Sequence, residues 1–255
     1  MIRPTLAWSP LLLALLALLP VGARAEPPEF DRPGIAFATS TLPAGAFDWE
    51  QGLPDVQRDT ADGVRTTLYS ADTTLRIGLA SNLEIQFAGS AWNRLDVRSG
   101  GIATRNEGGG DTTIAVKWAP ALATKDMSMA LLGGVTLDTG ASAFTNGRLA
   151  YSMGATVSRN LGSGRAVALY GNASHCGSRN TWTVSPNFSF PLGQDFGAYV
   201  EAGHTSGGDG SSTVAGGGLT WLLHERVQFD LYALHGLTSR SPDLQAGFGV
   251  SAFWD

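Results

Sequence analysis

The sequence predicts an all-β protein, a closed antiparallel transmembrane barrel of about 12 strands. First, apolar and polar residues alternate in twos, as in Leu83, Ile85 and Phe87 against Glu84 and Gln86, which is the period of a strand with one apolar face. Second, the alternating segments are about ten residues long, which suits a tilted strand that crosses a membrane. Third, tight turns alternate along the chain with longer, glycine-rich connections, a pattern typical of outer-membrane barrels.

The N-terminus carries a predicted signal peptide. Arg3 is the only early charge, the apolar run Leu11–Leu19 follows, and Ala23–Ala25 is a small-x-small cleavage site. A transmembrane anchor is the alternative, but the apolar run is shorter than the roughly 18 residues that a spanning helix needs. We therefore expect export and cleavage before Glu26. The chain then divides into a signal peptide, residues 1–25, and an outer-membrane β-barrel domain, residues 26–255.

The mature chain is acidic and holds one cysteine. Removing the signal peptide takes away two of the 17 basic residues, Arg3 and Arg24, and none of the 22 acidic ones, which leaves 15 against 22 and a formal charge of −7. This balance gives no indication of nucleic-acid binding. Cys176 has no second cysteine with which to form an intramolecular disulfide. No apolar run in the mature part reaches the length of a membrane helix, so we expect strands to make the crossing.

The strands are placed by their alternation. In the first, Phe47 and Trp49 face one way and Asp48 and Glu50 the other, and the polar stretch 57–63 that follows is expected to be a turn. Two segments, 75–79 and 83–92, form the clearest hairpin. The predicted strands are Ala44–Leu53, Arg65–Leu79, Leu83–Trp92, Gly110–Trp118, Met127–Leu137, Arg148–Leu161, Arg165–Ser174, Trp182–Phe190, Phe196–Thr205, Thr213–Leu223, Val227–Leu237 and Leu244–Trp254.

The connections predict the orientation in the membrane. Asn93–Gly109, with three arginines, and Asp138–Gly147 are expected to be long exposed loops, whereas every second connection is tight. Short periplasmic turns and longer extracellular loops place both chain ends in the periplasm of a Gram-negative bacterium. The tight connections are 80–82, 119–126, 162–164, 192–195 and 224–225. Two aromatic girdles are then expected, formed by Trp118, Trp221 and Trp254 near the periplasm and by Trp92 and Trp182 at the opposite rim.

A soluble barrel or sandwich is the alternative fold, because it too alternates and its large apolar residues would simply be core. The signal peptide and the two-sided loop pattern weigh against it. In lipid, an open sheet edge would leave backbone groups without hydrogen-bond partners, so the last strand is expected to pair with the first. The C-terminal pattern Phe248, Val250, Ala252, Trp254 resembles the terminal signal that the outer-membrane assembly machinery reads, with Asp255 following the last aromatic residue.

Seven stretches that together cover most of the mature chain carry a family resemblance. They are LPAGAFDWEQG at 42–52, LRIGLASNLEIQ at 75–86, GGGDTTIAVKW at 108–118, LDTG at 137–140, YVEAG at 199–203, VQFDLYALHGL at 227–237 and the closing AGFGVSAFWD. Together they resemble an outer-membrane family labelled for the meta-pathway of phenol degradation. This resemblance implies a barrel that passes or binds small compounds, aromatic or hydrophobic ones among them.

Seven charged residues are predicted to line the lumen. If Leu, Ile, Val and Phe face lipid, the alternating charged positions point inward, because charges in hydrocarbon are costly. They form either a passage that selects solutes by charge and hydrogen bonding, or a set that pairs across strands and plugs a narrow interior. Arg76 and Glu84 can meet across their hairpin. The seven are Glu50, Arg76, Glu84, Asp111, Lys117, Glu201 and Asp230.

His204 and Ser206 suggest a different function. They are expected on the outward face of one strand near the extracellular rim, and a histidine base beside a serine nucleophile is what acyl transfer needs. The pair resembles the motif of outer-membrane phospholipases and lipid A deacylases, in which Asn follows the serine, whereas Gly207 follows it here. Either His235 or Asp209 could orient the histidine.

The sequence therefore predicts a passive channel or binding conduit for small molecules, without covalent chemistry, cofactor or metal. His175 and Cys176 are too few ligands for a metal site. The expected partners are outer-membrane lipid, a small solute and the barrel-assembly machinery, and not nucleic acid. The alternatives are a lipid esterase or deacylase that uses His204 and Ser206, and a structural barrel without transport.

Overall fold

The computed structural model describes residues 29–208 and 210–255, and the predicted signal peptide with its cleavage site lies outside the described residues. These residues form one antiparallel sheet of 13 strands. They contain no helix long and apolar enough to cross a membrane. The strands are β1 Phe47–Ala61, β2 Val64–Ala80, β3 Leu83–Ser99, β4 Ile102–Gly108, β5 Thr112–Trp118, β6 Met127–Leu137, β7 Ala150–Gly162, β8 Arg165–Cys176, β9 Arg179–Pro191, β10 Phe196–Gly207, β11 Gly210–Leu223, β12 Val227–Gly236 and β13 Leu244–Trp254.

Twelve of the strands close into a barrel. Strand β1 pairs on one side with β2, where Phe47 lies opposite Ile77, and on the other with β13, where Phe47 lies opposite Trp254. Strand β3 pairs with both β2 and β5, and from β5 to β13 each strand pairs with the next. Closure leaves no unpaired edge in the membrane. The prediction of a closed antiparallel barrel of about 12 strands is thus confirmed, with β4 as one extra strand that lies against β3.

Apolar side chains cover the outside of the barrel and charged ones fill its interior. On β3, Glu84 and Gln86 are buried whereas Phe87 is exposed, and on β5, Lys117 is buried between the exposed Val116 and Trp118. A soluble barrel has the opposite arrangement, with apolar residues inside. The alternation therefore belongs to a barrel whose outer face is solvated by lipid.

Residues 93–109 form a hairpin, and the prediction of a long exposed loop there is wrong. Strand β3 continues to Ser99, the chain turns at Gly100 and Gly101, and β4 returns along β3 with Asn93 opposite Gly108. Both turn glycines have positive φ, which suits a two-residue hairpin turn. A strand that extends beyond the membrane is surrounded by water and can carry as many charges as a loop. The charged, glycine-rich composition of this segment therefore led to the wrong prediction of a loop.

Strand β1 is also longer than predicted. It runs from Phe47 to Ala61 and turns only at Asp62 and Gly63, so residues 57–61, predicted as part of a turn, lie in the strand. A register shift between Gly52 and Asp55 interrupts its pairing, as a bulge would. Where a hairpin projects from the membrane, its outer face needs no apolar residues, so the apolar alternation stops before the strand does.

The two ends of the barrel differ. At one end of the barrel, the first residue of β1 lies beside the last residue of β13, and the exposed Trp118 and Trp221 lie towards that end. The exposed Trp92 and Trp182 lie towards the other, so the tryptophans occupy the two predicted rims. That second end carries the loops 138–149 and 237–243, together with two-residue turns at 62–63, 100–101 and 177–178.

Candidate functional site

The interior is organised around Arg76 of β2. Its guanidinium donates two hydrogen bonds to Glu84 of β3, from Nε to Oε1 at 2.9 Å and from Nη2 to Oε2 at 3.2 Å. Both side chains are fully buried. Arg76 Nη1 also lies 3.0 Å from Glu50 Oε1 and 3.4 Å from Asp48 Oδ2, both on β1. The fork of an arginine can hold several carboxylates at once, so one cation joins three strands.

A second cation, Lys117 of β5, extends this cluster. Its Nζ lies 2.6 Å from Asp31 Oδ1 and 3.7 Å from Glu84 Oε1. Asp31 precedes the first strand, and its other oxygen, Oδ2, accepts a hydrogen bond of 2.8 Å from Gln86 Nε2. The cluster therefore joins the barrel wall to the segment that leads into it.

That lead, residues 29–46, is here called the plug segment. The backbone N–H groups of Asp31 and Arg32 donate to the two oxygens of Glu50 at 2.8 and 2.6 Å. The Arg32 guanidinium donates to both oxygens of Asp55 on β1, at 2.8 and 3.0 Å, and lies 3.3 Å from Asp230 on β12. These contacts hold the N-terminal part of the plug segment against β1 and β12, the two strands on either side of β13.

The rest of the plug segment contacts the other side of the barrel. The backbone N–H of Ile35 donates to Glu201 Oε2 on β10 at 3.1 Å, and Phe37 packs edge-on against Tyr170 of β8 with ring centroids 5.5 Å apart. Thr39 Oγ1 lies 2.6 Å from Ser128 Oγ on β6. Since contacts reach strands all round a closed wall, the plug segment lies inside the barrel.

The wall opposite the Arg76 cluster is lined by small side chains. A cavity of about 480 Å³ lies between the plug segment and strands β7 to β12. The wall side of this cavity includes Thr156, Ser158, Ala166, Ala168, Asn187, Ser189 and Ala198. The interior is therefore asymmetric. Charged side chains bind the plug segment on one side, and short side chains leave space on the other.

Six of the seven residues predicted to line the lumen lie buried in this interior and bond to one another or to the plug segment: Glu50, Arg76, Glu84, Lys117, Glu201 and Asp230. Sequence reasoning missed Asp31, Arg32, Asp48 and Asp55 as members of the set. A signal for the first two was present, because Phe30, Ile35 and Phe37 make the lead too apolar for an exposed tail.

Asp111 lies apart from the other six, between β4 and β5. Its carboxylate accepts hydrogen bonds from the backbone N–H of Gly140 at 2.9 Å and of Asn146 at 2.7 Å. Burial opposes ionisation, but the hydrogen bonds from Asn146, Thr145 and Gly140 more than offset it, so the pKa of Asp111 lies below its ordinary value. Asp111 thereby anchors the loop 138–149.

The anchored loop closes one side of a cavity at the end of the barrel away from the chain ends. The cavity has a volume of about 520 Å³, and Ala143 and Phe144 of the loop face Leu68 and Leu95 of the wall across it. Polar residues of the wall, Asp72, Ser90 and Asn93, line the same space. A small molecule with an apolar body and a polar group fits such surroundings.

Among the described residues, His204 forms its side-chain hydrogen bond with a residue of the next strand and not with Ser206. His204 Nδ1 lies 2.9 Å from Thr213 Oγ1, and its ring lies 5.5 Å from the ring of Trp182. His235 Nδ1 bonds to the backbone oxygen of Asp243, and Asp209 lies outside the described residues. His204 is thus engaged by Thr213, the residue opposite it on β11.

A closed antiparallel barrel with lipid-facing apolar side chains and a charged interior defines the class: this is an outer-membrane β-barrel. The chain belongs to the family described as "Putative MetA-pathway of phenol degradation", which matches residues 30–253. The resemblance drawn from the sequence is therefore confirmed.

Solved structures share this fold at low sequence identity. The COG4313 outer membrane channel from Pseudomonas putida F1 matches with a TM-score of 0.69 and 17% identity, over 88% of this chain and 99% of that chain. The KdgM porin in complex with disordered oligogalacturonate matches at 0.51 and 10%, over 82% and 98%. The transport unit of the autotransporter AIDA-I from Escherichia coli matches at 0.51 and 10%, over 83% and 90%. Among curated proteins, no sequence gives a significant match.

Proposed function

We propose that this protein is a passive channel of the outer membrane that carries small molecules through its lumen, beside the plug segment. The observation that carries the proposal is the cavity of about 480 Å³ between the plug segment and the small side chains of β7 to β12. A cavity of this volume holds a small molecule of a few rings or fewer. Similar structures described as an outer membrane channel and a porin support a channel rather than an enzyme.

The interior favours neutral or cationic solutes over anions. The charged side chains that make the interior contacts described above comprise three cations and seven acids, so acids outnumber cations among them. An anion that enters it meets like charge in surroundings where water screens poorly. The cations are Arg32, Arg76 and Lys117, and the acids are Asp31, Asp48, Glu50, Asp55, Glu84, Glu201 and Asp230.

Aromatic compounds with a hydroxyl group are the proposed solutes. Phe37 and Tyr199 give the cavity aromatic surface, and Asn187 and Ser189 supply hydrogen-bonding groups. Offset and edge-on contacts between rings stabilise aromatic pairs beyond the area they bury. The family description, which concerns phenol degradation, agrees with such a solute.

The plug segment is proposed to be the barrier that sets how much passes. It occupies the lumen at the level of Arg76 and is held there by ion pairs and hydrogen bonds. No covalent bond is broken when such contacts exchange, so the segment can shift and widen the passage. The proposal involves no chemical step and no cofactor. The protein is proposed to be exported by means of the signal peptide, residues 1–25, which is then cleaved.

Single-channel recording of the purified protein in a planar bilayer tests the proposal. Ala168→Trp places a large ring in the proposed passage, whereas Ala173→Trp places the same ring on the exposed outer face of the same strand. We expect Ala168→Trp to lower the conductance several-fold and Ala173→Trp to leave it unchanged. A folded protein without conductance, or equal conductance in the two variants, would overturn the proposed passage.

A further inference from the structure

An arginine cluster lies on the part of the wall that projects beyond Trp92, at the end away from the chain ends. It stands out in a chain whose formal net charge is −5. Four neighbouring strands contribute to it, with one member each from β1, β2 and β4 and two from β3. The members are Arg58, Arg65, Arg94, Arg98 and Arg105, here called the arginine cluster.

The register places these side chains on one face of the sheet. Arg58 lies opposite Thr67, Thr67 lies opposite Asp96, and Asp96 lies opposite Arg105, which makes one row across four strands. Residues directly opposite in antiparallel strands point to the same face. Arg94 is two residues before Asp96 on β3 and therefore shares that face.

That face is the outer one. Asp55 on β1 points into the barrel, where it binds Arg32 of the plug segment. Successive side chains alternate between faces along a strand, so Arg58, three residues further, points outward. Trp92 lies two residues before Arg94 on the outer face and is 38% exposed. The arginine cluster therefore begins just above the aromatic rim, at the depth of lipid headgroups.

The cluster carries charge that the described part of the protein does not neutralise. Asp96 binds Arg94 and Arg105 at 2.7 and 2.8 Å. Arg65 lies directly opposite Arg98, a pairing of like charges that destabilises a sheet unless an anion lies between them. Within residues 29–208 and 210–255, the side chain of neither arginine has an acidic partner or a hydrogen bond, and both side chains are exposed.

The surface beside these two arginines is shaped as a groove. It has a volume of about 340 Å³, and Arg58, Arg65 and Arg98 line it. Val56, Tyr69 and Leu244 give the same groove apolar surface. Guanidinium groups bind phosphate oxygens through paired hydrogen bonds, and the apolar residues suit the upper part of an acyl chain.

We propose that the arginine cluster binds the phosphate groups of lipopolysaccharide, the phosphorylated glycolipid of the outer leaflet. The proposal rests on the orientation with both chain ends in the periplasm, which puts the cluster at the outer leaflet, and it does not depend on transport. Arg65 and Arg98 hold a phosphate between them, and the groove takes the adjoining acyl surface. Binding relieves the repulsion between the two arginines, so the lipid stabilises this extended hairpin.

The test measures binding of lipopolysaccharide to the purified, delipidated barrel by native mass spectrometry. The variant Arg65→Ala/Arg98→Ala removes the opposed pair, and Arg159→Ala/Arg165→Ala removes two exposed arginines near the other end of the barrel. We expect at least tenfold weaker binding in the first and unchanged binding in the second. Arg65→Lys/Arg98→Lys keeps the charge without the fork and should bind with intermediate affinity.

Two further ligands test whether the cluster recognises phosphate carried by the glycolipid or free inorganic phosphate. Dephosphorylated lipopolysaccharide should bind the unaltered protein at least tenfold more weakly than the intact glycolipid, and inorganic phosphate at equal concentration should not displace it. Circular dichroism of each variant establishes that the barrel is folded. Equal binding of intact lipopolysaccharide to the first double variant and the unaltered protein would overturn the proposal, as would displacement by inorganic phosphate alone.

Discussion

Lys117 Nζ on the barrel wall lies 2.6 Å from Asp31 Oδ1 on the plug segment. The lysine is fully buried, and the aspartate side chain is 14% exposed, so little water reaches the pair. Removing one partner of such a pair leaves the other charge uncompensated, which costs roughly 3–5 kcal/mol. The position of the plug segment therefore depends on a small number of buried charges.

Asp31→Asn is expected to loosen the plug segment. The amide has nearly the same size as the carboxylate but no charge, so Lys117 and Arg76 lose one of their acidic partners. We predict more frequent and larger openings in single-channel recordings. Asp126→Asn, in an exposed connection, removes the same charge without touching the lumen and should record as the unaltered protein does. Identical openings in both variants would mean that Asp31 does not hold the barrier.

Gly78→Ala is expected to displace the base of the plug segment. The backbone of Gly78 exchanges hydrogen bonds of 2.9 Å with Gly45 and Ala46, and a Cβ added at Gly78 would overlap the carbonyl oxygen of Pro43. Overpacking of this kind costs about 1–3 kcal/mol, which urea unfolding in lipid vesicles measures.

Gly171→Ala is the matched control for this substitution. Gly171 also lies within a strand, but a Cβ there has open space around it within 4 Å. We expect its free energy of unfolding to stay within about 1 kcal/mol of the original. If Gly78→Ala were equally mild, the close packing of the plug segment on β2 would not contribute to stability.

The anchoring of the loop 138–149 is expected to depend on pH only in acid. The pKa of Asp111 is lowered in the folded protein, so its hydrogen bonds to the loop contribute fully above the ordinary value of about 3.9 and are lost as the pH falls through the lowered pKa. Nuclear magnetic resonance of the amides of Gly140 and Asn146 should therefore show no release between pH 7 and pH 5. Both of these pH values lie above the ordinary pKa of an aspartate side chain.

Asp111→Asn separates this effect from general acid unfolding. The amide cannot ionise, so both amide signals should report a looser loop at neutral pH, with little further change in acid. Release of the loop near pH 6 in the unaltered protein, close to the ordinary pKa of histidine, would contradict the assignment to Asp111.

The sequence predicted the parts of this structure that the membrane dictates. Lipid requires an apolar outer face and a closed sheet. Two-residue alternation was therefore enough to identify the strands and to predict that Arg76 and Glu84 point into the barrel. The hairpin of 93–109 was not predicted, because it projects into water. A strand in water needs no apolar outer face, so the two-residue alternation that identifies a membrane strand is missing there.

The interior arrangement could be predicted only in part. Residue types identified six wall residues, but nothing local connects Ile35 with Glu201, which are 166 residues apart in the chain. The plug segment lies inside because its backbone N–H groups satisfy carboxylates from several strands at once. Such contacts depend on closure of the whole barrel, which a local pattern does not encode.

A tether between the plug segment and the wall tests the central claim most directly. Ile35 Cγ1 lies 3.8 Å from the position that a Cβ at Gly203 would occupy. The variant Ile35→Cys/Gly203→Cys, with Cys176→Ser to remove the native thiol, therefore places two thiols within reach of a short cross-linker that contains a reducible disulfide. Single-channel recordings of this variant before and after reduction compare a fixed with a mobile segment. We predict only small conductance steps while the tether is intact and a return of larger openings once it is reduced. The same distribution of openings in both states would contradict the claim that the plug segment is the barrier to passage.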